Sequence, residues 1–374
     1  MNLKTLVAKN YINFRGWRTD RKIIVIESDD WGSIRTHSKH AYNEMKTIGL
    51  TIDQSIFTKY DSLESIDDLK LLFEVLADVK DKNYSPAKLT AVCVVANPDF
   101  RSIQESDFAL YSYLNLKDSY ALLGSGENVL DYWKTYGFEN KMFWPQFHGR
   151  EHLNPLSWLR EMKDVNIMER FAFDTKSLLG LYKYEDRRRM YMSAFEYFNE
   201  NEKKDIEIRT SEGLKLFEQT FGFKSKSFMA SQSIRGEHLD KVLSQNGVMY
   251  HQGGQQFIPT NNKLKIKNRF WGDTNEFGML YWRRNCNFEP AKNQDFDSVA
   301  NTMKEIEIAF RWGKPAVISS HRVNYIGSIF LENREQSLLK LNHLLHRIIK
   351  KWPEVEFMTS DELGDYMRET KQLK

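Results

Sequence analysis

Eight short runs rich in β-branched and aromatic residues alternate with longer stretches of helical periodicity. The runs fall at 22–28, 89–96, 141–147, 225–230, 248–251, 278–284, 315–320 and 355–359. Such short, punctuated runs read as strands. Helices between successive strands make those strands parallel and place the helices on the outside. Residues 62–81 carry Leu69, Leu72, Phe73, Leu76 and Val79 on one helical face. Residues 295–312 carry Val299, Met303, Ile306 and Phe310, and 333–352 carry Leu338, Leu341, Leu344, Leu345 and Ile348 in the same way. Helix starts are read at Ser62 ahead of Asp67 and Asp68, at Asn154-Pro155, and at Ser360-Asp361-Glu362. Seven or eight such units predict an α/β fold, a distorted (β/α) barrel formed by residues 1–374 as one domain. An open doubly wound sheet is the alternative. No strand is followed by a Gly-rich P-loop or dinucleotide loop, which argues against a nucleotide-binding version. Residues 176–224 break the rhythm. Charged stretches at 182–189 and 199–204 flank the aromatic run 190–198, and together they predict a helical insertion near the barrel rim.

The net charge of +3 signals neither nucleic acid nor an anionic membrane as partner. Two cysteines, Cys93 and Cys286, make no disulfide framework, and Cys93 is expected as a buried thiol in a central strand. No run approaches the roughly 18 apolar residues of a membrane span, and the first ten residues lack the apolar region of a secretion signal. A cytoplasmic protein is expected.

The chemistry gathers at strand ends. Ile23-Ile24-Val25-Ile26-Glu27-Ser28 runs into Asp29-Asp30-Trp31-Gly32. Phe143-Trp144-Pro145-Gln146-Phe147 runs into His148-Gly149-Arg150-Glu151-His152, and Ala316-Val317-Ile318-Ser319-Ser320 runs into His321. Parallel α/β folds keep their active groups at the carboxyl edge of the sheet. Adjacent carboxylates on a strand point to opposite faces, so one aspartate can ligate a metal while the other acts beside it as a base. Two imidazoles four residues apart suit zinc, which takes nitrogen and oxygen ligands and leaves a position open in catalytic sites. His148 to His152 also matches the H-x-x-E-H signature of a metallopeptidase, but Pro145, Gly149 and Pro155 oppose the helix that signature needs. A glycosidase would need two facing acids, for which Glu27, Asp99 and Asp273 are the candidates.

These motifs resemble those of the polysaccharide deacetylases (carbohydrate esterase family four). Ser28-Asp29-Asp30-Trp31-Gly32 is similar to the family's first motif, His148 to Leu153 to its second, and Ile318-Ser319-Ser320-His321 to its last. The resemblance spans residues 23–321 and implies a distorted barrel. It also implies a divalent metal, zinc in most members, held by Asp30, His148 and His152, with Asp29 as general base and His321 as general acid. The implied reaction is N-deacetylation of a sugar or glycan. Trp31, Asn97, Asp99, Arg283 and Arg322 are the expected substrate contacts. The chain departs from the family at the third motif, where Met229 stands in place of the arginine that orients the base. Arg235, Arg283 or Arg322 is expected to substitute for it, with Arg322 and Arg283 the leading candidates. The fourth motif, which supports the acid histidine, has its nearest counterpart in Tyr281-Trp282-Arg283-Arg284. A weakened, glycan-binding relative is the alternative reading.

Overall fold

The computed structural model describes residues 3–124, 126, 128–163, 167–180, 191–260 and 263–372. Nine strands form one parallel sheet: β1 (Ile23–Trp31), β2 (Leu89–Val94), β3 (Phe143–Gly149), β4 (Ser227–Phe228), β5 (Tyr250–His251), β6 (Leu280–Tyr281), β7 (Cys286–Asn287), β8 (Ala316–His321) and β9 (Glu356–Phe357). Eight run in the order β6-β5-β4-β3-β2-β1-β8-β7, while β9 pairs with the start of β1. The sheet curls into a distorted (β/α) barrel with helices packed around it, as the alternation predicts. β6 and β7 are not hydrogen-bonded to each other, so the barrel has a seam. Residues Trp282 to Asn285 cross it, and Asn285 ties the crossing to β8 by accepting from the Val317 N–H (2.8 Å) and donating to the Pro315 carbonyl (2.9 Å).

Strand alternation divides the core in two. Ile24 and Ile26 join the large layer between strands and helices, together with Leu72, Phe143, Phe217 and Leu341. Ile23 and Val25 point the other way, into the barrel, where they meet Tyr250, Leu280, Trp282 and Val317. Leu363 and Met367 of the last helix, Ser360–Gln372, fill the same interior. The barrel is therefore packed at one end, which leaves the carboxyl ends of the strands for a cavity.

Several boundaries differ from the sequence reading. The helix expected from Ser62 is Ile66–Ala77, capped by Ser65 in a reciprocal capping box with Asp68. The insertion contains the helix Glu200–Phe221, but residues 191–198 form turns instead of helix. Tyr191, Met192 and Phe195 are buried there. With Tyr191, Met192, Ala194 and Phe195 buried in succession, the run gains more from following the core than from helical regularity. Residues 181–190, with the triple arginine 187–189, lie outside the described residues. Three more strand pairings were not read from the sequence: β7, the hairpin Ala96–Pro98 with Tyr113–Asn115, and the hairpin Gln255–Pro259 with Leu264–Asn268. Among the described residues no helix is long and apolar enough to cross a membrane.

β4 has only two residues, and side-chain bonds do part of the work of its ladder. The buried Gln146 Oε1 accepts from the backbone N–H groups of Ser227 (2.7 Å) and Lys226 (3.1 Å). Gln146→Met should leave these buried donors unsatisfied and lower stability by about 1–3 kcal/mol, read by urea denaturation. A midpoint equal to wild type would show that β4 does not depend on Gln146.

Candidate active site

The tips of β1, β3 and β8 meet in one cavity of about 360 Å³, which Asp29, Asp30, His148, His152, Arg284 and His321 help to line. Two bulges aim the side chains. Between β1 and β2, the register passes from Ser28–Ala91 to Trp31–Cys93, so β1 holds one extra residue. Asp30 there has φ +76°, a left-handed conformation that Asp tolerates at a cost of about 1 kcal/mol. Between β3 and β2, the register passes from Phe147–Cys93 to Gly149–Val94 and leaves His148 as the extra residue. Gly149 follows at φ +148°. Bulges re-aim side chains, and both fall at expected metal ligands.

Asp30, His148 and His152 each place a ligand atom within 4.8 Å of the others. Asp30 Oδ1 lies 2.9 Å from His152 Nε2 and 3.4 Å from His148 Nε2. His148 Nδ1 is fixed by the Met229 carbonyl at 2.8 Å, and its Nε2 is buried without a hydrogen-bond partner. A carbonyl on one ring nitrogen selects the tautomer that offers the other nitrogen to a metal. Two imidazoles and one carboxylate, all buried, fit a divalent cation. Burial disfavours charge on Asp30, yet the two histidines hold its carboxyl well below the usual range. Burial, opposed by Asp30, lowers the His152 pKa, which favours the neutral imidazole a metal needs.

Asp29 stands in register with His321 across β1 and β8. Arg284 grips both its oxygens, Nη1 to Oδ2 at 2.6 Å and Nη2 to Oδ1 at 2.7 Å. The same guanidinium donates from Nε to Glu27 Oε2 (2.6 Å) and from Nη2 to Gln252 Oε1 (2.8 Å). Burial works against the Asp29 charge, but Arg284 holds its pKa below the ordinary value. Glu27 is wholly buried, and burial outweighs Arg284 there, so its pKa is raised. His321 Nδ1 pairs with Glu289 Oε1 at 2.6 Å, and Asn324 Nδ2 holds the other Glu289 oxygen at 2.8 Å. Burial opposes protonation of His321, but Glu289 and the two aspartates push its pKa up to about 10. His321 Nε2 lies 4.0 Å from Asp29 Oδ2.

The structure corrects several assignments. Arg322 does not hold Asp29. It is fully buried and donates to Asp61 (3.0 Å) and Glu64 (2.7 Å). Arg283 lines the cavity, but its Nη1 donates to the carbonyls of Arg269 (2.8 Å) and Gly254 (3.3 Å), and its neighbour Arg284 takes the orienting role. Trp31, Asn97 and Asp99 do not line the cavity. Trp31 is buried against Phe143 at 4.8 Å between ring centroids. Asn97 bonds the backbone at Gly32 (2.8 Å) and Ile34 (2.7 Å), and Asp99 caps the helix Phe100–Glu105. Glu289 was missed because the strand before it has only two residues. Glu151 is engaged by Arg150 through two bonds (2.6 and 2.7 Å), and His148 belongs to a strand, so the peptidase signature is not realised.

No protein-family model matches the chain, and no curated protein does so significantly. Solved structures do align along its length. One is an allantoinase named PuuE, with 11% identity, TM-score 0.44, and coverage of 95% of this chain and 93% of that one. Another is a provisionally assigned polysaccharide deacetylase from Mycobacterium smegmatis (11%, TM-score 0.40, coverage 96% and 94%). A third is the α-amylase AmyC from Thermotoga maritima (11%, TM-score 0.43, coverage 93% and 75%). At such identities and scores, these likenesses assign neither family nor activity.

Purified protein should take up zinc, as read by elemental analysis. His148→Ala, His152→Ala and Asp30→Asn should each weaken uptake by more than about 100-fold. Asp29→Asn and Met229→Ala should retain it, since the latter keeps the carbonyl that holds His148. Metal loss in Asp29→Asn would mean that the two aspartates exchange roles.

Proposed function

We propose that the protein is a metal-dependent hydrolase that removes an N-acyl group, acetyl in the simplest case, from a sugar or glycan. The observation that carries this reading is the convergence of three buried metal-type ligands with a braced carboxylate and a braced imidazole in one cavity. Asp30, His148 and His152 would hold the ion, zinc being the natural fit to two nitrogens and one oxygen. When bound, a divalent ion supplies Lewis acidity towards a carbonyl and towards water. Asp29, kept ionised by Arg284, takes the proton of the attacking water. His321, kept protonated by Glu289, gives a proton to the departing nitrogen. Amide nitrogen leaves poorly without that proton, so a carboxylate base with an imidazolium acid suits C–N cleavage. The sugar assignment draws on the motif resemblance.

The rival readings lose their supports. Met229 leaves Asp29 no less braced, because Arg284 arrives from the barrel seam. Glu27, Asp99 and Asp273 do not line the cavity as a facing pair of acids.

Zinc-loaded protein should release acetate from N-acetylated sugars. Asp29→Asn and His321→Ala should each slow turnover about 10²–10⁴-fold while keeping the metal. Arg284→Lys, which cannot reproduce the two-pronged grip, should cost about 10²-fold. Undiminished turnover in Asp29→Asn would remove it as the base.

The brace on His321 gives a pH test. A pKa of about 10 keeps the acid protonated through neutral pH and releases its proton only on the alkaline side. Glu289→Gln removes the charge that raises this pKa. The alkaline limb of the kcat profile should therefore move to lower pH, towards the ordinary imidazole range near ~6.5. An unmoved limb would detach His321 from Glu289 in function.

A further inference from the structure

The acids that line the cavity are both paired, Asp29 with Arg284 and Asp30 with the two histidines, and Glu289 behind His321 is held by His321 and Asn324. Two of its arginines, Arg35 and Arg283, have no carboxylate partner among the described residues. Arg35 lines the cavity and is only 5% exposed, yet its Nε is buried with no hydrogen-bond partner. No carboxylate among the described residues lies within ion-pair distance of it. The Phe57 ring lies 5.4 Å from its guanidinium carbon, and Phe57 in turn meets the His321 ring edge-on at 5.4 Å. Gly180, at φ +53°, keeps room beside it, since a Cβ there would lie 3.2 Å from Arg35 Nη1. Arg283 adds a second guanidinium on the cavity wall, bonded to carbonyls that do not neutralise its charge.

A buried guanidinium cannot shed its proton, so its desolvation must be offset by a partner. An aromatic face offsets part of that cost but offers no acceptor for the N–H groups. Planar guanidinium donors match the oxygens of a carboxylate or a phosphate. We infer that Arg35 is an anion-recognition residue of this cavity, so that the substrate is an acidic N-acylated sugar carrying a carboxylate or phosphate. At about 360 Å³ the cavity is at the small end for ligand sites, so the anionic group lies on the sugar that bears the acyl group or on its neighbour. The nature of the bond cleaved rests on the proposed hydrolase reading, whereas the anion contact does not.

The test is calorimetric binding to the full, zinc-loaded chain. The probes are N-acetylglucosamine 1-phosphate, N-acetylmuramic acid (a carboxylate) and neutral N-acetylglucosamine. Wild type should bind at least one charged sugar about tenfold or more tighter than the neutral one, and the tighter of the two tells phosphate from carboxylate. Arg35→Met should lose that preference without weakening the neutral sugar, and Arg35→Lys should keep part of it. Equal affinity for charged and neutral sugars in wild type would overturn the inference. So would a preference that survives in Arg35→Met. Should Arg35→Met fail to fold, as judged by its melt, the wild-type comparison and Arg35→Lys decide. A charge preference without acetate release would leave the anion site standing and remove the hydrolase reading. Acetate release without a charge preference would do the reverse.

Discussion

The guanidinium of Arg284 joins the architecture to the chemistry. β1 sends Glu27 and Asp29 into the barrel on the same face, where two buried carboxylates would repel each other. The seam between β6 and β7 sends Trp282 and Arg284 back towards them, Trp282 Nε1 reaching Glu27 Oε1 at 2.9 Å. Arg284 then bonds both acids and Gln252, so the seam is closed through side chains where the ladder is absent. Removing one partner of such a buried pair typically costs about 3–5 kcal/mol, because a charge is left uncompensated. Arg284 favours ionisation of both carboxyl groups; it prevails at Asp29, whereas burial prevails at Glu27 and raises its pKa. Environments that separate the pKa values of neighbouring acids are how one site acquires distinct roles for them.

The ligand geometry depends on a second device. In regular strands, Asp30 and His148 would follow the alternation of their neighbours. A bulge at each position breaks that alternation, and the left-handed Asp30 and the open Gly149 are its local signatures. Beneath the bulged tip of β1 lies a buried polar cluster. Glu64 accepts from the Gly32 N–H (3.0 Å) and from Arg322, which also pairs with Asp61. Burial, only partly offset by Arg322, pushes Asp61 up to about 6. Arg322 thus acts on the site through the turn it supports, although it touches neither the cavity nor Asp29.

Position 229 shows how a backbone atom can matter where a side chain is absent. Met229 cannot orient a carboxylate, but its carbonyl selects the His148 tautomer. Gln146 anchors the short strand just ahead of that carbonyl, from the same strand that carries His148. Such a contact leaves no trace in residue type, since any residue supplies a carbonyl.

Read alone, the sequence determined the strand–helix alternation, the barrel class, and the strand ends at which Asp29, Asp30, His148, His152 and His321 lie. These are local properties, written in periodicity and in polar residues placed directly after apolar runs. It could not determine which arginine braces Asp29, because Arg283 and Arg284 are adjacent and only the direction of each side chain at the seam separates them. Glu289 was hidden behind a strand of two residues, too short to leave a pattern. Trp31 follows Asp30 directly, and Asn97 and Asp99 follow β2, yet they serve packing, backbone bonding and helix capping respectively. The tertiary structure decided the braces of Asp29 and His321 because each depends on a partner tens to hundreds of residues away. Arg284 meets Asp29 across 255 positions and His321 meets Glu289 across 32, and no local pattern encodes a contact whose other half lies elsewhere in the chain.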